Sequence, residues 1–293
     1  MKGIRDIKRR IKSVKNTEQI TRAMQLVAAS KMKRAQDKAL ASRPYSLLLA
    51  EIFGSLLKEG QEQGKHPLIE KRPIVRRGVL VIATDKGLCG ALNGNIFKKI
   101  MEVEGEAAFV CIGKKATQFV SRTGRQLLAD FTVSDKINFS EIRMAVEFML
   151  KAYKNKEIDT LEVIFTRFVN TLHQEPTSEQ LLPLTSFDET LKSFRERLNV
   201  KEVHAVEDSR EILFEPSIQA VASELPKLFI KQEIYQMLME AKASEHSARM
   251  VAMKSATDNA NNLVSSLTLE YNKARQAAIT QEILEIAAAT SSN

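Results

Sequence analysis

Tryptophan is absent from this 293-residue sequence, cysteine occurs twice, and no glycine follows Gly124. Cys89 and Cys111 are too few for a disulfide framework, and neither stands at metal-ligand spacing from another Cys or a His. A reducing, intracellular compartment is therefore expected. No stretch approaches the roughly 18 consecutive apolar residues of a membrane span. The basic opening Met1-Lys2-Gly3-Ile4-Arg5-Asp6 lacks the apolar core of a secretory signal, so a soluble protein is expected. With 44% hydrophobic and 27% charged residues, wholesale disorder is excluded, and the length suits one large domain or two modest ones.

Catalytic constellations are also missing. His66, His173, His204 and His246 are scattered without HExxH or other ligand spacing, so no metal site or cofactor is expected. The stretch Thr84 to Asn93 (TDKGLCGALN) follows an apolar run and leads into a helical pattern, which is where glycine-rich loops cradle phosphate. It fits neither the Walker pattern nor the dinucleotide fingerprint, and reads better as a tight strand-to-helix turn. Cys89 sits in that turn with no base beside it in sequence, so a small buried hydrophobe is the better reading than a nucleophile. Glu282 and Glu285 fall on a helix, where paired carboxylates are usually solvated charges.

Glycine and proline then divide the chain. Ile4 to Phe53 holds no Gly and one Pro, Pro44, and the 67 residues after Pro226 hold neither. Two very long helices follow. Between them, the apolar runs at Gly78 to Ala83, Ala107 to Ile112 and Leu161 to Phe165 alternate with amphipathic stretches, which indicates a largely parallel sheet. The expected fold is α/β with long helical arms: an antiparallel two-helix coiled coil from both termini and a small central Rossmann-like α/β domain. Its divisions fall at 1–57 (first helix), 58–77 (linker), 78–215 (central domain) and 216–293 (second helix).

Ile4, Ile7, Ile11 and Val14 open the first helix at 3-4 spacing, a seam that needs a partner. The heptad then degrades: Glu18, Thr21 and Gln25 occupy the next seam positions, and on the second helix Asp258 and Asn262 stand in register with Ser244 and Val251. The stripe is satisfied either by a bundle within the chain or by a partner. Near the end, Ala277, Ala278, Ile279, Ile283, Leu284, Ile286, Ala287, Ala288 and Ala289 wrap apolar surface around most of the circumference, and a helix apolar all round must be buried. If the arms start level, this tip needs a socket on another protein.

Charge is placed unevenly. The first forty residues hold 12 basic and 3 acidic side chains, and the other 253 hold 32 and 33. Lys8, Arg9, Arg10, Lys12, Lys15, Lys31, Lys33, Arg34 and Lys38 form a basic stripe suited to a polyanion or an acidic protein surface, or simply to solvent. The first aromatic is Tyr45, so the interleaved aromatics of many nucleic-acid binders are lacking. A basic coiled-coil nucleic-acid-binding protein is the alternative reading at this point.

Four blocks in order then resemble one family. Ile20 to Met32 (ITRAMQLVAASKM), Thr84 to Asn93, Arg249 to Lys254 (RMVAMK) and Tyr271 to Glu282 (YNKARQAAITQE) are similar to motifs of the gamma subunit of the F-type ATP synthase. The likeness covers essentially the whole chain. It departs at Ala289-Thr290, where the family usually has Gly-Ala, and between Leu184 and Glu211; the cysteine-bearing insertion of chloroplast relatives is lacking. The resemblance implies a non-catalytic rotor shaft on the cytoplasmic side of the cell inner membrane. Its implied partners are the alpha and beta subunits of the catalytic head, the epsilon subunit and the membrane proton ring, with no nucleic acid. Carried over by position, Met24, Lys31, Lys33 and Arg34 lie near the catalytic chains, and Arg249, Gln276, Thr280 and Glu282 meet them by polar contact. Phe214-Glu215-Pro216 resembles the segment that touches the proton ring and epsilon, with Glu215 as the contact residue.

Overall fold

In the computed structural model, residues 3–58, 68, 72–135, 137–184, 215 and 217–291 are described. The elements in order are α1 (Ile4–Lys58), β1 (Arg77–Ile82), α2 (Leu92–Met101), β2 (Ala107–Ile112), α3 (Lys114–Arg122), β3 (Gln126–Phe131), α4 (Phe139–Lys154), β4 (Thr160–Phe168), β5 (Gln174–Leu182) and α5 (Ile218–Ser291). The chain forms two compact units. One comprises Met1–Ser30 and Arg249–Asn293, the other Lys31–Ala248. The two long helices each contribute to both.

In the larger unit, β3-β2-β1-β4-β5 lie side by side in that order. β1 pairs in parallel with β2 and β4, β2 with β3, and β5 closes one edge antiparallel to β4. The strand period of two sorts side chains between two cores. Leu80, Ile82, Val110, Ile112, Leu161, Val163 and Phe165 pack with α4 and with the stretches of α1 and α5 in this unit. Val79, Val81, Phe109, Cys111 and Ile164 pack beneath α2 and α3. The central strands are buried on both faces, which is why they read as continuous apolar runs. β3 and β5 add strands that no apolar run announced. As edges they carry residues such as Asp130, Thr177, Ser178 and Glu179, which interrupt or replace a continuous apolar run.

In this unit α5 is buried on almost every side from Leu225 to Ser247, polar residues included. Ser244 Oγ donates to the carbonyl of Thr166 at 3.1 Å and Ser247 Oγ to that of Thr171 at 2.7 Å, which satisfies hydroxyls on the strand side. Lys242 and Glu245 pair at 3.1 Å with both side chains buried.

The smaller unit is an antiparallel helix pair. Along α1 the least exposed positions are Ile4, Ile7, Ile11, Val14, Glu18, Thr21, Gln25 and Ala28, a heptad spacing without a break. The seam therefore persists where hydrophobicity fades, because a threonine or alanine fills a seam position as well as a leucine when the helix axes are close. On α5 the expected phase is corrected. Asp258 and Asn262 are exposed, and the seam runs through Met253, Thr257, Ala260, Val264, Leu267, Tyr271, Ala274 and Ala278. A polar residue in helical register with Ser244 was misleading, because several registers fit a helix rich in small side chains.

Candidate functional site: partner-binding surfaces of the helix pair

Thr21 Oγ1 and Thr257 Oγ1 lie 2.7 Å apart across the seam and fix which residues face each other. In that antiparallel register Ile4 faces Ala274, and α5 continues to Ser291 for about 25 Å more at 1.5 Å per residue. From Ile279 onward every side chain described is exposed: Ile279 48%, Ile283 60%, Leu284 59% and Ile286 68%. Uncovering four large aliphatic side chains at the end of a helix forgoes about 1.5–3 kcal/mol for each one that could be fully buried. Contiguous apolar surface of this kind marks an interaction site.

Gln276, Thr280 and Glu282 sit on this overhang, all exposed. Thr280 Oγ1 donates back to the Gln276 carbonyl at 3.0 Å, and Gln281 Nε2 to Glu285 at 2.9 Å. Polar and apolar groups thus share the tip, one turn apart. Ala288 and Ala289 have no described side-chain placement.

Arg5, Lys8, Arg9, Arg10, Lys12 and Lys15 are exposed along the start of α1, off the seam. Arg9 pairs with Asp6 at 3.0 Å, a surface i,i+3 pair of little energetic weight. Further along, Ile20, Leu26 and Val27 are exposed too. Their part in the surface was not read from the sequence, although the signal was there, since none falls on the heptad that begins at Ile4. Met24 and Arg249, which belong to the same unit, are half-buried.

The remaining predicted contact residues belong to the larger unit. Lys33 and Arg34 are exposed, and Glu215 is exposed just before α5. Phe214 and Pro216 lie outside the described residues. Lys31 is engaged within the chain, its Nζ 2.5 Å from Asp135. That hydrogen bond, against a smaller opposing effect of burial, holds the Asp135 carboxyl below its usual range, with the charges of Lys31, Lys242 and His246 adding to it. Lys38 Nζ donates to the Ile137 carbonyl at 3.1 Å, so two lysines of α1 hold the loop between β3 and α4.

The turn after β1 is built to hold itself. Asn93 Nδ2 donates to Thr84 Oγ1 at 2.8 Å and to Cys89 Sγ at 3.3 Å. Asp85 Oδ1 accepts the backbone N–H of Lys114 at 3.0 Å. A carboxylate of the chain itself therefore caps the start of α3, the helix that follows β2, and ties the turn to it. Gly113 has φ +103°, and a Cβ there would meet the Ala83 carbonyl oxygen at 2.2 Å, so only glycine fits this crossing. Burial, with the charge of Asp130 second, pushes the Cys111 thiol up to about 12, and Cys89 is buried. Neither has the character of a nucleophile. Among the described residues no three His, Cys, Asp or Glu side chains gather into a metal site, and no helix is long and apolar enough to cross a membrane. His66 and His204 lie outside the described residues.

The profile of a family described as ATP synthase matches residues 3–292. The ATP synthase gamma chain of Opitutus terrae is 51% identical over 289 residues, spanning 99% of this chain and 98% of that protein. That of Heliobacterium modesticaldum is 39% identical over 291 residues, with 98% and 97% covered. Among solved structures, a chain of the Euglena gracilis mitochondrial ATP synthase, in an assembly of OSCP, F1 and c-ring, aligns with TM-score 0.66 at 18% identity. It covers 99% of this chain and 94% of that one. A chain of the Tetrahymena thermophila central stalk and c-ring aligns with TM-score 0.57 at 22% identity, covering 81% and 99%. The structural likenesses establish a shared fold.

Proposed function

The chain belongs to the ATP synthase gamma-chain family, and from that premise we propose that it is the central rotor shaft of an F-type proton-translocating ATP synthase. In this reading it is a non-catalytic subunit that makes ATP from ADP only through others. Proton flow turns a membrane ring, the ring turns this chain, and the chain changes the conformations of the catalytic beta subunits around it. It sits peripherally on the cytoplasmic side of the cell inner membrane. Its segments divide the work: 1–57 and 216–293 form the axle, and 78–215, joined by 58–77, the body.

The observation that carries this reading is the bare apolar overhang of α5 beyond the start of α1. An axle of this kind needs a sleeve formed by neighbouring alpha and beta chains. Gln276, Thr280, Glu282 and Arg249 supply polar contacts that break and reform as it turns, and deep burial would instead lock it. Met24 and the basic Lys33 and Arg34 face acidic loops of the catalytic chains, and Lys31 does so by exchanging Asp135 for a partner's carboxylate. Glu215 meets the proton ring and epsilon. Because the shaft is asymmetric and its three sockets are alike, it favours a different state in each at any angle, which is population shift by differential contact.

Affinity purification of the tagged full-length chain tests the proposal. Six large nucleotide-binding chains should accompany it, and the purified chain alone should show no saturable nucleotide binding. Recovery as a compact, self-sufficient monomer with its tip protected from proteolysis would overturn it. No observation favours the nucleic-acid reading, which requires tight, steeply salt-dependent duplex binding.

A further inference from the structure

Lys31 of α1 already holds a carboxylate of its own chain. Its Nζ lies 2.5 Å from Asp135, in the loop between β3 and α4, and the two side chains are 35% and 50% exposed. An ion pair this open to solvent contributes little and costs little to exchange. The loop, moreover, does not depend on Lys31 for its shape. Val133 and Ile137 are buried in the main core on either side of Asp135. Ser134 donates its N–H and its Oγ to the Glu141 carboxylate at 2.6 and 2.8 Å, which ties it to the first turn of α4. The Ile137 N–H donates to the Ser134 carbonyl at 3.1 Å, and Lys38 Nζ donates to the Ile137 carbonyl at 3.1 Å.

The carboxylate does not depend on Lys31 alone either, because the charges of Lys242 and His246 on α5 act on the same group. Lys31 can thus leave while the loop keeps its anchors and Asp135 keeps cations beside it. Asp135 is placed as a detachable partner. An acidic group brought by another subunit replaces one that Lys31 already has, so the exchange at Lys31 is close to even. The net gain is made at Lys33 and Arg34, which are exposed two and three residues further along the same helix. When the competent form of a site is populated only part of the time, apparent affinity falls by that fraction.

We propose that Asp135 is a positioning residue, acting through Lys31 as a built-in competitor for the carboxylates that Lys31 meets on the catalytic chains. The proposal deepens the shaft reading and rests on its assignment of Lys31 to that contact. The test titrates the full-length chain into alpha and beta subunits purified together without it, at fixed salt, and reads the chain concentration that gives half-maximal assembly. Asp135→Asn should reach it at about twofold to fivefold lower concentration, the range of an exposed ion pair. Lys31→Gln should need a higher concentration than the unaltered chain, and the double variant should match Lys31→Gln alone. Asp135→Ser, a second way of removing the competitor, should tighten assembly as Asp135→Asn does. Replacing a residue whose role is only structural would weaken assembly, so the direction of the change decides.

If Lys31→Gln weakens assembly while neither Asp135 variant tightens it, the proposal is overturned and the shaft reading stands. Tightening that persists in the double variant would also overturn it, because Asp135 would then be repelling the partner's carboxylates directly instead of acting through Lys31. No effect of Lys31→Gln would take Lys31 out of the contact, and would overturn both the proposal and the assignment beneath it.

Discussion

The two ends of α5 reverse the usual relation between polarity and exposure. Near its start, from Leu225 to Ser247, the helix buries Gln232, Glu233, Gln236, Lys242, Glu245 and His246. Near its end it exposes Ile279, Ile283, Leu284 and Ile286. One continuous helix thus carries buried charge at one end and bare aliphatic surface at the other. What surrounds each stretch decides this. The first is enclosed by strands and helices of its own chain and can satisfy polar atoms internally. The second extends past the start of its partner helix, and none of the described residues covers it. Buried polarity therefore marks a finished part of this molecule, and exposed apolarity marks a part awaiting another chain.

This comparison predicts its largest effect at the enclosed end. Phe229 is 2% exposed in the main core, and Phe229→Ala should cost about 3–5 kcal/mol of stability in the isolated chain, read by urea denaturation. Lys242→Met should cost less, about 1.5–3 kcal/mol, because it removes a charged hydrogen-bond donor 3.1 Å from the buried Glu245 carboxylate. The double change Lys242→Met with Glu245→Leu should recover most of that loss. If it did not, the pair would be contributing more than mutual neutralisation.

At the other end the expectation inverts. Ile283→Glu should alter the stability of the isolated chain by no more than about 0.5 kcal/mol, as exposed substitutions do. The same change, or deletion of Gln276 to Asn293, should weaken the assembled complex, measured as subunit loss on dilution or heating. If the isolated chain were destabilised by as much as the complex, the tip would be covered by its own chain and the contrast between the two ends would fail.

The contrast also explains what could be read in the sequence. Long helices were legible because Ile4 to Phe53 holds no glycine and a single proline, Pro44, and the residues after Pro226 hold neither, and the three central strands because burial on both faces forces apolar runs. The tip was legible too, since apolar residues on all sides of a helix have one meaning. β3 and β5 were not, because an edge strand such as Gln174–Leu182 keeps a solvated, polar composition. The phase of the α5 seam was not, because Ala, Ser and Thr fit both surface and seam. Nor could Lys31 be seen to meet Asp135, a pairing across 104 residues that only the folded body creates. Sites carried by hydrophobic pattern were readable, whereas sites carried by tertiary pairing were not.

The smallest effect concerns that pairing, the exposed counterpart of Lys242–Glu245. Lys31 and Asp135 side chains are 35% and 50% exposed, against 6% and 7% for the buried pair. Asp135 has its pKa lowered from the ordinary 3.8, chiefly by the hydrogen bond from Lys31. A carboxyl with a depressed pKa in the folded state stabilises it above the unfolded-state pKa, and that contribution is lost as pH falls through the folded value. Solvent screening limits the pair to well under about 1 kcal/mol. Asp135→Asn should therefore lower stability slightly at pH 7 and by progressively less as pH drops below 3.8, where the unaltered chain loses the same contribution. Urea midpoints of the two chains across that range should converge on acidification. Raising the salt concentration at pH 7 should narrow the same gap, since an exposed pair is screened. A gap that stayed constant with both pH and salt would mean that Asp135 acts through its shape and hydrogen bonding rather than its charge.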